Sequence, residues 1–395
     1  MDVFIVSIAD FCIILIFSCI ECFKHEDLVA SLGLERVKGS LNNNSVEHND
    51  MKIGIAYIQC CFKTHKSFSE LWDFASFQEL KVLEKYARQV EGALFKGLSP
   101  WDEAFYMCNM KGDSFGLDYK VVASYFPIQQ CIEGLKLITR SLFGAVLKEV
   151  SLAPGESWHP DVQKFTLHHP AEGDIGHLYI DLYSRRGKYP GSAQFALKGG
   201  RRISYDKYQL PVVVVVCNFS RPSSSSLPVL NHWELETLFH EFGHALHSLL
   251  TRTDYQHFSG TRTVLDFVEI PSNLFETYAW DYRVLSRFAK HYSTGESIPL
   301  ELVKAMKKAQ DMFSATELQQ QVLYALIDLT LFGKKSVPIK DTTSVVASLK
   351  SKHSSYKYVE GTHWHTRFNH LITYGAGMFS NTAIYILGVF IVLLI

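Results

Sequence analysis

The sequence predicts a mainly α-helical protein with one small β-sheet. Apolar residues recur at helical spacing across 67–96, 116–150 and 232–332, which are the long periodic stretches of the chain. Only two short segments, 178–183 and 212–216, show the alternation or the β-branched enrichment that is typical of strands. The helices therefore dominate, and the sheet is expected near residues 177–217.

The length and composition are those of a folded globular protein. A chain of 395 residues suggests two or three domain-sized units, and 47% hydrophobic against 20% charged residues excludes a largely disordered chain. Lys and Arg number 39, Asp and Glu number 40, and the formal net charge is −1. A balance this close to zero argues against nucleic acid as a partner.

Both ends of the chain are apolar. Residues 3–20 could anchor the chain in a membrane, but Asp10 would be costly in mid-span, so this alternative is not favoured. No Arg precedes Arg36, so no transit peptide is visible, and a polar, Asn-rich linker follows at 36–52. The closing apolar run, 383–395, is too short to span a bilayer alone.

The middle of the chain alternates between helical and strand patterns. A helix is predicted over 67–96, and two more within 116–150, where Pro127 forces a break between them. Alternation predicts a strand at 178–183, and five consecutive valines predict a buried strand at 212–216. Helical spacing resumes from 232 to 332, with a loop near 251–263 and a turn at 293–299.

The strongest chemical signal is the segment His240-Glu241-Phe-Gly-His244. On an α-helix, His240 and His244 are four residues apart and lie on one face, so both imidazoles can bind one metal ion. Zinc suits imidazole and carboxylate ligands in such a site. Glu241 lies about 100° around the helix, where it can act as general base on a metal-bound water. The segment 233–250 is helix-forming, as this hypothesis requires.

A third protein ligand is needed. A third histidine six residues after the second would require Gly at 247 and His at 250, but the chain has His247 and Leu250 there, which excludes the metzincin pattern. Glu269 and Glu276 are seven residues apart and predicted to share one helix face, so one can bind the metal while the other orients a ligating imidazole. Spacing alone leaves the choice between them open. His247 is a competing candidate for the third ligand. It is less suitable, because three ligands from one helix at 240, 244 and 247 would give poor tetrahedral geometry.

These motifs resemble one known family. The segments His240–His247, Phe258–Thr261 and Asp266–Glu276 are similar to those of the zinc peptidases thimet oligopeptidase, neurolysin and mitochondrial intermediate peptidase. Further landmarks follow the family order: Trp101-Asp102, Tyr125–Pro127, Tyr179–Tyr183, Gly187–Tyr189 and Asn218-Phe219. Two more, Tyr292–Gly295 and Ala315–Gln319, resemble the mitochondrial intermediate peptidase branch, especially its plant members. The resemblance covers about residues 99–380.

The resemblance implies a zincin-type catalytic domain of the thimet oligopeptidase and neurolysin architecture, with one zinc ion per chain. It implies zinc ligands at His240, His244 and Glu269, and a catalytic base at Glu241. Glu276 then becomes the residue that supports a ligand from outside the coordination sphere.

The resemblance also extends to the segment Arg367–Ala376, where His370 and Tyr374 match residues that contact substrate. Such side chains donate hydrogen bonds to the scissile carbonyl and its developing oxyanion. This chain departs from the family pattern in two ways. Family members have a large N-terminal helical half, so this chain is expected to be truncated there, and residues 377–381 replace the family's tyrosines with Met, Phe and Asn.

The expected organisation has four parts: an apolar N-terminus and linker (1–52), a remnant of the N-terminal helical region (53–98), the zinc peptidase domain (99–380) and an apolar tail (381–395). The expected function is a zinc-dependent metalloendopeptidase acting on oligopeptides or presequence ends. The alternative is a truncated, non-catalytic zinc-binding relative, which could be attached to a membrane. A monomer is expected, in mitochondria by family resemblance, or else in the cytosol.

Overall fold

The computed structural model describes residues 65–221, 227–333, 341–356, 358–373 and 375–377. The described chain divides into two compact units, one formed by 108–312 and the other by 65–107 together with 313–377. The predicted apolar segments 3–20 and 383–395 lie outside the described residues. Within the part that is described, no helix combines the length and apolarity that crossing a membrane requires.

The first unit contains a five-stranded mixed sheet. Its strands are β1 (Val146–Val150), β2 (Gln163–His169), β3 (Gly173–Tyr183), β4 (Ala193–Lys198) and β7 (Val212–Phe219), in the order β1-β2-β3-β7-β4. A short hairpin, β5 (Arg201–Arg202) and β6 (Tyr208–Gln209), stands apart from it. Strand β3 pairs with β7 in parallel, and the other pairs are antiparallel.

The five valines form the first part of β7, in agreement with the predicted strand. Alternation turns Val213 and Val215 toward the helices and Val214 and Val216 toward the opposite face, and all four are buried. Strand β1 corrects the sequence analysis, which extended the helical pattern to residue 150. Lys, Glu and Leu favour helices by propensity, but pairing with β2 makes 146–150 a strand.

Helices form the other main elements of the first unit. They are α2 (Glu103–Phe115, which begins in the second unit), α3 (Tyr119–Ala123), α4 (Ile128–Phe143), α5 (His232–Leu250), α6 (Leu265–Val268), α7 (Ile270–Tyr278), α8 (Tyr282–Phe288) and α9 (Leu300–Asp311). Helix α5 packs against β7, with Leu235, Leu238 and Phe242 buried in the main core. Its start is set by a capping box, in which Asn231 and Glu234 exchange side-chain and backbone hydrogen bonds.

A buried carboxylate anchors the segment that leads from β3 into β4. Asp181 is 1% exposed and accepts two hydrogen bonds from Arg185, at 2.7 Å each, and one from Lys188 at 2.9 Å. The indole N–H of Trp158 donates a further one at 2.9 Å. Burial alone would raise the pKa of Asp181, but these donors, above all Arg185, hold it well below its usual range.

The second unit is helical. It contains α1 (His65–Glu91), α10 (Ser314–Phe332), α11 (Thr342–His353) and α12 (Asn369–Thr373), with α1 and α11 packed on α10. The N-terminus of α10 has no cap from its own segment; the carboxylate of Glu79 on α1 instead accepts hydrogen bonds from Ala315 N and from the amide and hydroxyl of Thr316. The expected mainly helical fold with a small sheet is confirmed.

Candidate metal centre

Helix α5 brings the two histidines to one point. The Nε2 atoms of His240 and His244 lie 3.5 and 3.1 Å from Oε2 of Glu269. One ligand atom from each of these three residues lies within 4.8 Å of the others. Two imidazole nitrogens and one carboxylate oxygen form the donor set of an open tetrahedral zinc site. The three residues therefore fit a metal ion.

Glu269 reaches this point because two helical segments cross closely. It stands at the junction of α6 and α7, and Pro271 lies in the first turn of α7. A Cβ atom on Gly243 would lie 2.6 Å from Pro271 O and 2.7 Å from Ser272 Cα. The glycine between the two histidines therefore permits the approach that brings the third residue in. The sequence predicted one continuous helix through 269 and 276; the break at 269 corrects that detail.

Two further side chains fix the orientation of His240 and Glu269. The His240 Nδ1 donates to Oε1 of Glu276 at 2.5 Å, which leaves Nε2 directed at Glu269. The Ser272 hydroxyl donates to Oε2 of Glu269 at 2.8 Å. Hydrogen bonds of this kind hold metal ligands in their binding orientation. The sequence predicts this supporting role for Glu276 but not for Ser272, although the position of Ser272, three residues after Glu269 in a helical segment, is a usable signal.

The charges at this centre are strongly coupled. Burial alone would raise the pKa of Glu269, but the hydrogen bond and positive charge of His244 lower it to about 2, so this carboxylate stays ionised. Burial alone would lower the pKa of His240, but Glu276 raises it to about 9.

Glu241 is enclosed beside the histidines. Its side chain is 7% exposed, and burial raises its pKa, while the positive charges of His240 and His244 oppose that rise. The backbone of Gln194 in β4 hydrogen-bonds to it. A buried carboxylate with a raised pKa, held next to a metal-binding group, can exchange protons with water.

The competing ligand His247 does not join this group. The only metal-binding cluster among the described residues consists of His240, His244 and Glu269. His247 makes an edge-to-face contact with Phe267 at 5.8 Å between ring centroids, and burial lowers its pKa to about 4.

The remaining sequence-predicted residues lie elsewhere in the chain. His370 is exposed on α12, in the second unit. Tyr374 lies outside the described residues, as do 378–381 of the altered segment.

Comparison with known proteins agrees with these observations. The sequence model of Peptidase family M3 matches residues 63–382. The chain is 56% identical over 329 residues to the mitochondrial intermediate peptidase of Arabidopsis thaliana, covering 83% of this chain and 46% of that protein. It is 38% identical over 282 residues to the human mitochondrial intermediate peptidase, covering 71% and 39%. The chain thus spans less than half the length of these curated relatives.

Proposed function

Because the chain belongs to Peptidase family M3, we propose that it is a zinc-dependent metalloendopeptidase that hydrolyses oligopeptides or presequence ends. The observation that carries the proposal is the convergence of two imidazoles and a carboxylate next to the enclosed Glu241. The relatives are named as peptidases, and their activity is extended here to a chain that matches less than half of their length.

His240, His244 and Glu269 would hold one zinc ion per chain, and Glu276 would keep the His240 ring in its ligating orientation. Bound zinc would supply positive charge that acidifies water and polarises a carbonyl group. The hydrogen bond from Ser272 to Glu269 and the one from His240 to Glu276 support this assignment, since both direct a ligand atom at the same point.

Glu241 is the general base of the proposed reaction. Its carboxylate accepts a proton from the attacking water and then donates that proton to the leaving amine. The enclosed position of Glu241 supports this role, because burial raises its pKa toward the range in which a carboxyl can both accept and donate.

Strand β4 is the proposed backbone-binding edge. It ends the strand order, so one of its edges is unpaired among the described strands, and the backbone of Gln194 reaches Glu241. An extended peptide can add to such an edge through main-chain hydrogen bonds, which places a peptide bond beside the base. His370 and Tyr374 are proposed as donors to the scissile carbonyl, on the strength of their match to the family motif.

The names of the relatives also bear on location. Both are called mitochondrial intermediate peptidases, so we place this chain in mitochondria, with the cytosol as the alternative. A non-catalytic zinc-binding role is the second candidate, because His240, His244 and Glu269 could hold a metal ion whether or not the chain hydrolyses peptides.

One purification decides between the two candidates. Zinc is counted by elemental analysis, and cleavage of a quenched fluorescent peptide is followed with and without chelator. The peptidase requires one zinc per chain, chelator-sensitive cleavage, and loss of cleavage with zinc retained in Glu241→Gln. Glu301→Gln, at an exposed position on α9, is the matched control and should behave as wild type. Zinc without cleavage in the wild-type chain would favour the non-catalytic role.

A further inference from the structure

A buried carboxylate holds the turn that follows α12 in the second unit. The backbone N–H of Ala376 donates to Oδ1 of Asp328, on α10, at 2.8 Å. Asp328 is completely buried. A charged group in that position is costly unless hydrogen bonds satisfy it, so this contact ties the turn to the interior of the unit.

The backbone of the turn is itself unusual. Ala376 has φ 66°, one of two positive values among the described residues other than glycine. Only glycine adopts that region freely, so surrounding contacts must hold Ala376 there. The neighbouring Gly375 is closely surrounded, because a Cβ atom on it would lie 3.1 Å from both Leu371 O and the Phe332 ring. The turn is therefore closely packed against α12 and against the C-terminal end of α10.

We propose that Asp328 is a positioning residue for peptide hydrolysis, acting through this turn on the segment that carries His370. The inference rests on the proposed function. The fixed turn, and the lack of room for a side chain between Gly375 and Leu371 O, constrain the end of α12, and His370 lies on that five-residue helix. Removing the Asp328 carboxylate releases the Ala376 amide, and the backbone of the turn then relaxes out of its left-handed conformation.

The test compares Asp328→Ala with Asp328→Asn in the full chain. The asparagine oxygen can still accept from Ala376 N, so Asp328→Asn should keep kcat within about threefold of wild type. In Asp328→Ala, kcat should fall about 10- to 100-fold with KM nearly unchanged and one zinc retained, because small misplacements near reacting groups have effects of that size. Hydrogen–deuterium exchange of the peptide containing Ala376 should speed up about tenfold or more in the alanine variant alone.

A double-mutant cycle with His370→Ala distinguishes an effect of Asp328 on the position of His370 from a general loss of structure. If Asp328 acts through this segment, Asp328→Ala costs little further activity in the His370→Ala background. Glu79→Ala is the matched control, since it weakens the opposite end of α10 without touching the turn, and should leave kcat of the folded protein unchanged. Faster exchange at Ala376 with wild-type kcat, or full additivity in the cycle, would overturn the inference and leave the proposed function standing. No hydrolysis by the wild-type chain would instead overturn the proposed function.

Discussion

Replacing Gly243 by alanine should separate the formation of α5 from the assembly of the metal centre. Alanine in a helix interior is favoured over glycine by about 1 kcal/mol, so propensity alone predicts stabilisation. The added Cβ, however, would lie 2.7 Å from Ser272 Cα. Two carbons in contact prefer about 3.5 Å, so the start of α7 must retreat by about 0.8 Å.

That displacement is large for a metal site. Ser272 donates to the Glu269 carboxylate at 2.8 Å, so a retreat of Ser272 moves Glu269 away from His240 and His244. Ligand distances in functional metal sites hold to about 0.2 Å. We expect Gly243→Ala to lower zinc affinity at least about tenfold and to destabilise the first unit by about 1 to 3 kcal/mol through overpacking.

The assay is competition with a chromophoric chelator, together with thermal unfolding with and without chelator. Gly112→Ala is the control, because Gly112 is also helical and the nearest atom to its Cβ would be Leu117 O at 3.3 Å. The control should bind zinc as wild type does. Wild-type zinc affinity in Gly243→Ala would refute the argument that this glycine admits the third ligand.

Three other predictions follow from single contacts. Glu276→Ala should lower zinc affinity about 10- to 100-fold by freeing the His240 ring, and Glu276→Gln less, as chelator competition would show. Burial lowers the pKa of His232 from 6.5 to about 4, so the fold should lose up to about 3 kcal/mol of stability as pH falls from 6.5 to 4, because only the unfolded chain gains the proton in that range. His232→Gln should flatten that part of the urea-unfolding profile. Glu79→Ala should cost about 1 to 3 kcal/mol by uncapping α10, measurable as faster hydrogen exchange at Thr316, and unchanged exchange would contradict it.

Local patterns predicted the elements that local forces determine. Helix α5 was expected over 233–250 and occupies His232–Leu250, because its apolar spacing and capping box both lie within the segment. The valine strand was recognisable for a similar reason, since β-branched residues in a short run suit a buried strand. Strands β1 and β2 were missed because their own residues are ambiguous, and the pairing that makes them strands comes from the rest of the sheet.

The metal centre likewise contains positions that one segment determines and a position that depends on packing between two segments. The positions of His240, Glu241 and His244 follow from the pitch of one helix, so spacing alone could predict them. The place of Glu269 depends on how a second segment crosses that helix, and no spacing rule contains that information. The crossing is nevertheless visible in the motif, because Gly243 stands where α7 closely approaches the α5 backbone. Pro271, in the first turn of α7, is the second such signal, because proline is typical of the first turn of a helix. It therefore marks the break between α6 and α7 beside Glu269. Read together, the two residues mark the crossing beside Glu269, whose carboxylate lies 3.1 Å from Nε2 of His244, whereas Glu276 bonds to Nδ1 of His240, the ring nitrogen that faces away from Glu269.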